Sequence, residues 1–119
     1  MISYAQNFED VLLFRCFGKL PDGFYVDIGA FDPLIDSVTK VFYDQGWSGI
    51  NVEPGPLIEH LRRDRPRDIN LAIAISDAEG EADFWEHTGG PGTSTLCADV
   101  AAKVAEVAGE RIRHRVPTL

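Results

Sequence analysis

Apolar residues in this chain fall in short runs separated by polar turns, and the spacing within the runs switches between helical and strand periods. Positions 7–19 carry Val11, Leu12, Phe14 and Phe17 largely on one helical face. Asn7 is placed to cap them, Glu9 and Asp10 sit in the first turn, and Gly18 marks the end. That pattern predicts an amphipathic helix packed on a neighbour. Pro21-Asp22-Gly23 reads as a turn, and positions 24–28 as a strand halted by Gly29 and Asp32-Pro33. A second helix over 37–45 opens at Asp36-Ser37 and ends at Gly46. A second strand covers 47–53. Pro54-Gly55-Pro56 breaks it, and a third helix over 57–64 runs to Arg65-Pro66-Arg67. Positions 69–75 are apolar on both faces, as expected of a strand covered by helices on each side.

Strand, helix, strand, helix, strand is the order of two linked βαβ units, which predicts an α/β fold with a parallel sheet. The pattern then departs from simple winding. Asp77-Ala78-Glu79-Gly80 reads as a tight turn into a strand over 82–86, a β-hairpin where another helix would continue the series. Gly89-Gly90-Pro91-Gly92 is an irregular loop. Positions 99–112 read as a helix with Val100, Val104 and Val107 on one face and Gly109 as a weak point, and 113–119 as the start of another strand. The expected fold is therefore an incomplete Rossmann-like one: the first three parallel strands with their helices, plus a β-hairpin. Cofactor-binding folds of this type carry more strands, so residues 1–119 are expected to be the N-terminal portion of a single domain truncated at its C-terminus.

Composition narrows the class. The chain has 119 residues, 45% of them apolar and 25% charged, enough for one globular domain with a core. Its formal net charge is −8, and the basic run Arg62, Arg63, Arg65, Arg67 is interrupted by Asp64 and Asp68, which argues against nucleic acid as a partner. The N-terminus lacks a basic start followed by an apolar stretch, and no apolar run approaches membrane length, so the expected location is cytoplasmic, with no membrane partner. Cys16 and Cys97 have no metal-ligand spacing and are expected to be buried thiols, with a disulfide as the alternative.

Candidate chemistry lies at the strand ends. Asp27 precedes Gly29 by two residues at the end of the first strand, and Glu53 ends the second, about 24 residues beyond Gly29. A glycine there lets backbone approach a ligand, and a carboxylate at that offset suits the vicinal diol of a ribose. A pyrophosphate cofactor such as NAD is disfavoured, because Ala30-Phe31-Asp32-Pro33 supplies no further glycine and adds a repelling acid. S-adenosylmethionine carries a sulfonium and an ammonium and no phosphate, so an acidic loop attracts it. The competing reading is that Asp27 and Gly29 merely build a turn and Glu53 merely favours the next helix N-terminus.

Five stretches carry a further signal: SYAQNFEDVLL at 3–13, YVDIGAFDP at 25–33, DSVTKVFYDQGWSGINVEP at 36–54, NLAIAISDAEGEADFW at 70–85 and GTSTL at 92–96. In this order and nearly throughout, the chain resembles the FkbM-type methyltransferases. The resemblance implies a class I methyltransferase fold, S-adenosylmethionine as cofactor, and transfer to a hydroxyl oxygen of a sugar, glycan or polyketide-type small molecule. It implies that Asp27, Gly29 and Ala30 line the methionine end of the donor, that Glu53 holds the ribose diol, and that Ser76 and Asp77 sit beside adenine. Gln6, Glu9 and Asp10 match the family's N-terminal motif, expected to close over the pocket. Ser94 and Thr95 match its loop near the reacting centre, and Asp32 joins Gln6, Ser94 and Thr95 as a candidate substrate contact.

No catalytic base is assigned. His87 is a candidate base for a hydroxyl, against a surface strand-end histidine, while His60 and His114 receive no role. Trp47 and Trp85 are expected to pack rather than to form an acceptor platform. No residue set has metal spacing, and no protein-held metal is expected. Two alternatives stand beside the enzyme: a non-catalytic donor-binding fragment, and a small α/β interaction module. An unpaired sheet edge gives either form a route to self-association.

Overall fold

The computed structural model describes residues 1–87, 94–108 and 111–119, so the expected 89–92 loop and Gly109 lie outside the described residues. The chain divides into two compact units, Met1–Leu71 and Ala72–Leu119. The first contains α1 (Glu9–Phe17), β1 (Phe24–Ile28), α2 (Lys40–Asp44), β2 (Ser48–Val52), α3 (Ile58–Asp64) and β3 (Ile69–Leu71). Its sheet has the order β1-β2-β3, and both pairs are parallel. The two βαβ units are thus present as read from the pattern.

The faces of that sheet differ in chemistry. Phe24, Val26 and Ile28 of β1 share a face with Ile50 and Val52 of β2 and with Ile69 of β3. Phe24, Val26 and Ile28 are 61%, 57% and 63% exposed, and β1 lies at the margin of the sheet. The opposite face carries Tyr25 and Asp27, Gly49 and Asn51, and Asn70. It is polar yet closed: Asn51, Arg65 and Asp68 are buried there. Apolar packing in this unit concentrates around Trp47. Its ring lies 4.7 Å from that of Phe42, and its indole N–H donates to the Leu20 carbonyl at 3.0 Å. Gly23 is open to no other residue, since a Cβ there would overlap the Trp47 indole.

Several local expectations are corrected. Asn7 does not cap α1; the N-cap is Phe8, held in the left-handed region at φ 62, while Asn7 bonds to the Glu9 carboxylate instead. Leu12 and Phe17 of α1 are exposed, and the residue the helix buries is Asp10. Spacing reports which residues share a face, and only packing decides whether that face is covered. α2 begins at Lys40, three residues later than expected, because Asp36 takes φ 57 and Ser37 uses its hydroxyl to accept the Lys40 N–H at 3.2 Å. The third strand stops at Leu71. Ile69 and Ile75 are exposed, so 69–75 is not a strand covered on both sides.

The second unit contains β4 (Gly80–His87), α4 (Ala98–Ala108) and β5 (Arg111–Thr118). β4 and β5 form the antiparallel pair, running from Gly80 opposite Thr118 to Glu86 opposite Ile112. The partner of β4 is therefore the C-terminal strand rather than the segment just before the turn, which instead contributes a single bridge from Ala74 to Thr118. Ala74, Phe84 and Val116 form the core of this unit. Among the described side chains of α4, Ala101 is buried, whereas Val100 is exposed. Cys16 and Cys97 are exposed free thiols, contrary to the buried state expected of them: Cys16 sits on the open side of α1 and Cys97 in the segment leading into α4.

Candidate functional site

The parallel register pairs Ile28 with Val52, so Gly29 and Glu53 emerge side by side at the strand ends. The Gly29 and Ala30 N–H groups both donate to the Val52 carbonyl, at 2.8 and 3.1 Å, folding the chain over the tip of β2. Gly29 adopts φ 75, and nothing lies within 4 Å of where a Cβ would stand. The turn thus presents bare backbone to open space, the arrangement through which a ligand approaches closely. Glu53, 7% exposed, accepts the Phe31 N–H at 3.1 Å on one carboxylate oxygen and the Gly55 N–H at 2.7 Å on the other. A carboxylate accepts about four hydrogen bonds, so two amides fix its orientation without precluding others.

Asp27 stands two residues before the turn, and its carboxylate accepts the Thr39 hydroxyl at 2.9 Å. Burial pushes its pKa above the ordinary 3.8, opposed by the Thr39 hydrogen bond and the Arg65 charge. The folded chain therefore binds more protons than the unfolded chain between those two values, and stability falls as pH rises through that window. Asp27→Asn, whose amide oxygen can still accept from Thr39, is expected to gain stability over the parent near neutral pH and to lose that advantage near pH ~3. Urea midpoints at both pH values check this; the same difference at each contradicts it.

The other predicted residues are distributed as follows. Asp32 accepts the Leu34 and Ile35 N–H groups at 2.8 and 2.9 Å, building the turn after Gly29. Gln6 is exposed on the N-terminal segment. Asp10 is fully buried and gathers that segment: its carboxylate accepts the Ser3 hydroxyl at 2.6 Å and the Tyr4, Ala5 and Val11 N–H groups. Burial alone would raise its pKa, but these donors together hold it below the ordinary value. Ser76, Asp77, Ser94 and Thr95 belong to the second unit. Ser76 and Asp77 are exposed, with the Ser76 hydroxyl donating to Asp77 at 3.2 Å. Thr95 pairs its backbone with Trp85 in both directions at 2.8 and 2.9 Å, which fastens Ser94-Thr95 alongside β4. His87 is not the surface histidine anticipated, since it is fully buried with its Nε2 3.0 Å from the Ala101 carbonyl.

The structure brings Asp27, Gly29, Ala30 and Glu53 together at neighbouring strand ends. It also shows a group that the pattern did not reveal. Asp68, just before β3, accepts the Gly49 N–H and the Asn51 amide, each at 2.9 Å, and the Tyr25 hydroxyl. Arg65 faces it with 3.6 Å between the charged atoms. The Tyr25 phenol is pushed well up by burial and then by its bond to Asp68. The sequence signal was an Arg-x-x-Asp spacing ahead of a strand, easily taken for solvated charge. Beside β1, a cavity of about 320 Å³ is lined by Leu13, Phe17, Phe42 and Trp47, with Tyr25, Asp27 and Thr39 among its members. Among the described residues no cluster of three or more His, Cys, Asp or Glu has metal-binding geometry, and no helix is long and apolar enough to cross a membrane.

A family model described as the Methyltransferase FkbM domain matches residues 27–118, a span that opens at Asp27 itself. No curated protein and no solved structure matches the chain.

Proposed function

We propose, for a chain that belongs to the FkbM methyltransferase domain family, that it binds S-adenosylmethionine and serves an O-methyltransferase acting on a hydroxyl of a sugar, glycan or polyketide-type molecule in the cytoplasm. One observation carries the proposal. The open, positive-φ Gly29 turn and the amide-anchored Glu53 carboxylate are adjacent at the tips of parallel strands. These residues fit the donor chemically: it has no phosphate to be repelled by Asp32, and its cationic groups suit a site walled by carboxylates. Gly29 and Ala30 offer backbone to its methionine end, Asp27 lies beneath them, and Glu53 accepts from the ribose diol. Gln6 and Asp32 of the same unit are assigned to the acceptor side.

When bound, the donor supplies an electrophilic methyl group on a sulfonium. The chain's own contribution is positional: it holds the donor by its two polar ends so that an acceptor hydroxyl meets the methyl in line, and such ordering lowers the barrier by removing entropy before the reaction. Calorimetric titration with S-adenosylhomocysteine tests the reading; a well-folded sample that gives no heat rejects it. Glu53→Ala is expected to weaken that binding by roughly 1–3 kcal/mol, the scale for a hydrogen bond to a charged group. Equal affinity in the variant would remove Glu53 from the site.

A second reading draws on the margin of the first sheet. Among the described residues β1 has no strand on its outer side, and Phe24, Val26 and Ile28 are exposed along it. Such an edge favours pairing with another copy, as in an interaction module. Sedimentation at rising concentration separates the cases: a monomer throughout removes the self-association.

A further inference from the structure

We propose that Arg65 is the positioning residue of the donor loop, the stretch from Gly29 to Thr39, an inference that rests on the donor reading above. From the end of α3, its buried guanidinium reaches that loop at three places. Nη2 donates to the Pro33 carbonyl at 2.8 Å and to the Ser37 hydroxyl at 3.0 Å, and Nη1 donates to the Thr39 hydroxyl at 3.2 Å. Nη1 also donates to the Tyr25 hydroxyl at 3.2 Å, which ties the same fork to β1. Thr39 in turn holds Asp27, so the arginine acts on that carboxylate through one intervening hydroxyl.

Stability alone does not account for an arginine here. Arg65 is 1% exposed, and burying a guanidinium costs several kcal/mol, so a well-packed apolar side chain would serve a purely structural purpose as well or better. A planar fork adds fixed direction, because it can hold several acceptors at set angles to one another. The loop needs such restraint. Phe31 and Asp36 are non-glycine residues at φ 59 and 57, a left-handed conformation that is strained for a bulky side chain such as Phe31 and persists where the surroundings over-determine it. Glu53 restrains the loop at Phe31, and Arg65 restrains it on both sides of Asp36.

The test compares the parent 119-residue chain with Arg65→Lys, which keeps the positive charge facing Asp68 but loses the fork. Amide hydrogen exchange at Leu34, Ile35 and Lys40 is expected to accelerate roughly tenfold, while Val52 and Glu53, in the sheet ladder, keep their protection. Affinity for S-adenosylhomocysteine is expected to fall about tenfold. Unchanged loop exchange, or loop and ladder accelerating together, overturns the proposal, as does equal affinity in parent and variant. A parent chain that binds nothing rejects the donor reading instead, and the exchange comparison then still decides whether Arg65 shapes the loop. If Arg65→Lys does not fold, Ser37→Ala removes one anchor with the Arg65–Asp68 pair intact; because it also removes the acceptor of the Lys40 N–H, the readout is exchange at Leu34 and Ile35, where the same acceleration is expected and its absence is equally decisive.

Discussion

Asp68→Ala is expected to cost the first unit about 3–5 kcal/mol, the penalty for stripping a buried charge of its partner. The carboxylate has no exposed side-chain surface, takes hydrogen bonds from the Gly49 N–H and the Asn51 amide of β2 and the Tyr25 phenol of β1, and faces the Arg65 guanidinium at 3.6 Å. Alanine leaves all of them facing a void that water reaches poorly, and the guanidinium loses its counter-charge. Against a total stability of roughly 5–15 kcal/mol for an ordinary domain, a loss of that size removes from about a fifth to all of the margin. Asp68→Asn keeps an acceptor for the Gly49 N–H but not the charge, and is expected to fall between parent and alanine variant. Urea unfolding followed by tryptophan fluorescence reads both, because Trp47 is buried in this unit. An alanine variant within about 1 kcal/mol of the parent would show that the network is dispensable.

Gly49→Ala is the second large effect, and its cause is steric. Gly49 lies mid-strand in β2 opposite Tyr25, and a Cβ there would overlap both the Tyr25 carbonyl oxygen and its ring. A ring can turn away; a backbone carbonyl cannot move without parting β1 from β2. Overpacking of this kind costs about 1–3 kcal/mol and more when the obstacle is rigid. The Gly49 N–H is also committed to Asp68, so a shift of β2 strains the same network. The expected result is a lower urea midpoint together with weaker S-adenosylhomocysteine binding, since Gly29 and Ala30 hang on the Val52 carbonyl at the end of that strand. A variant with the parent's midpoint would contradict the close approach of these strands.

Strand order and the meeting of Gly29 with Glu53 were legible because both follow from local signals. An apolar run closed by glycine or proline marks a strand end, and parallel strands linked by short helices bring their ends to the same side. The antiparallel pair was legible as to class and not as to partner. Whether β4 pairs backward across a turn or forward with β5 depends on contacts distant in sequence, and both choices satisfy the same alternation. The burial of Asp10, Arg65, Asp68 and His87 escaped for a related reason. Their residue types are ordinarily solvated, and they become interior only because each meets partners brought by other segments.

By itself, then, the sequence determined the first two strands, the helices between the strands, and the acid-and-glycine tips at the strand ends. These rest on periodicity and turn chemistry, which act over a few residues. Tertiary structure alone decided which polar groups leave water and which apolar faces keep it. Burying a charge is tolerable only where complementary groups converge, as Arg65, Asp68, Tyr25 and Thr39 do beneath the loop from Gly29 to Thr39.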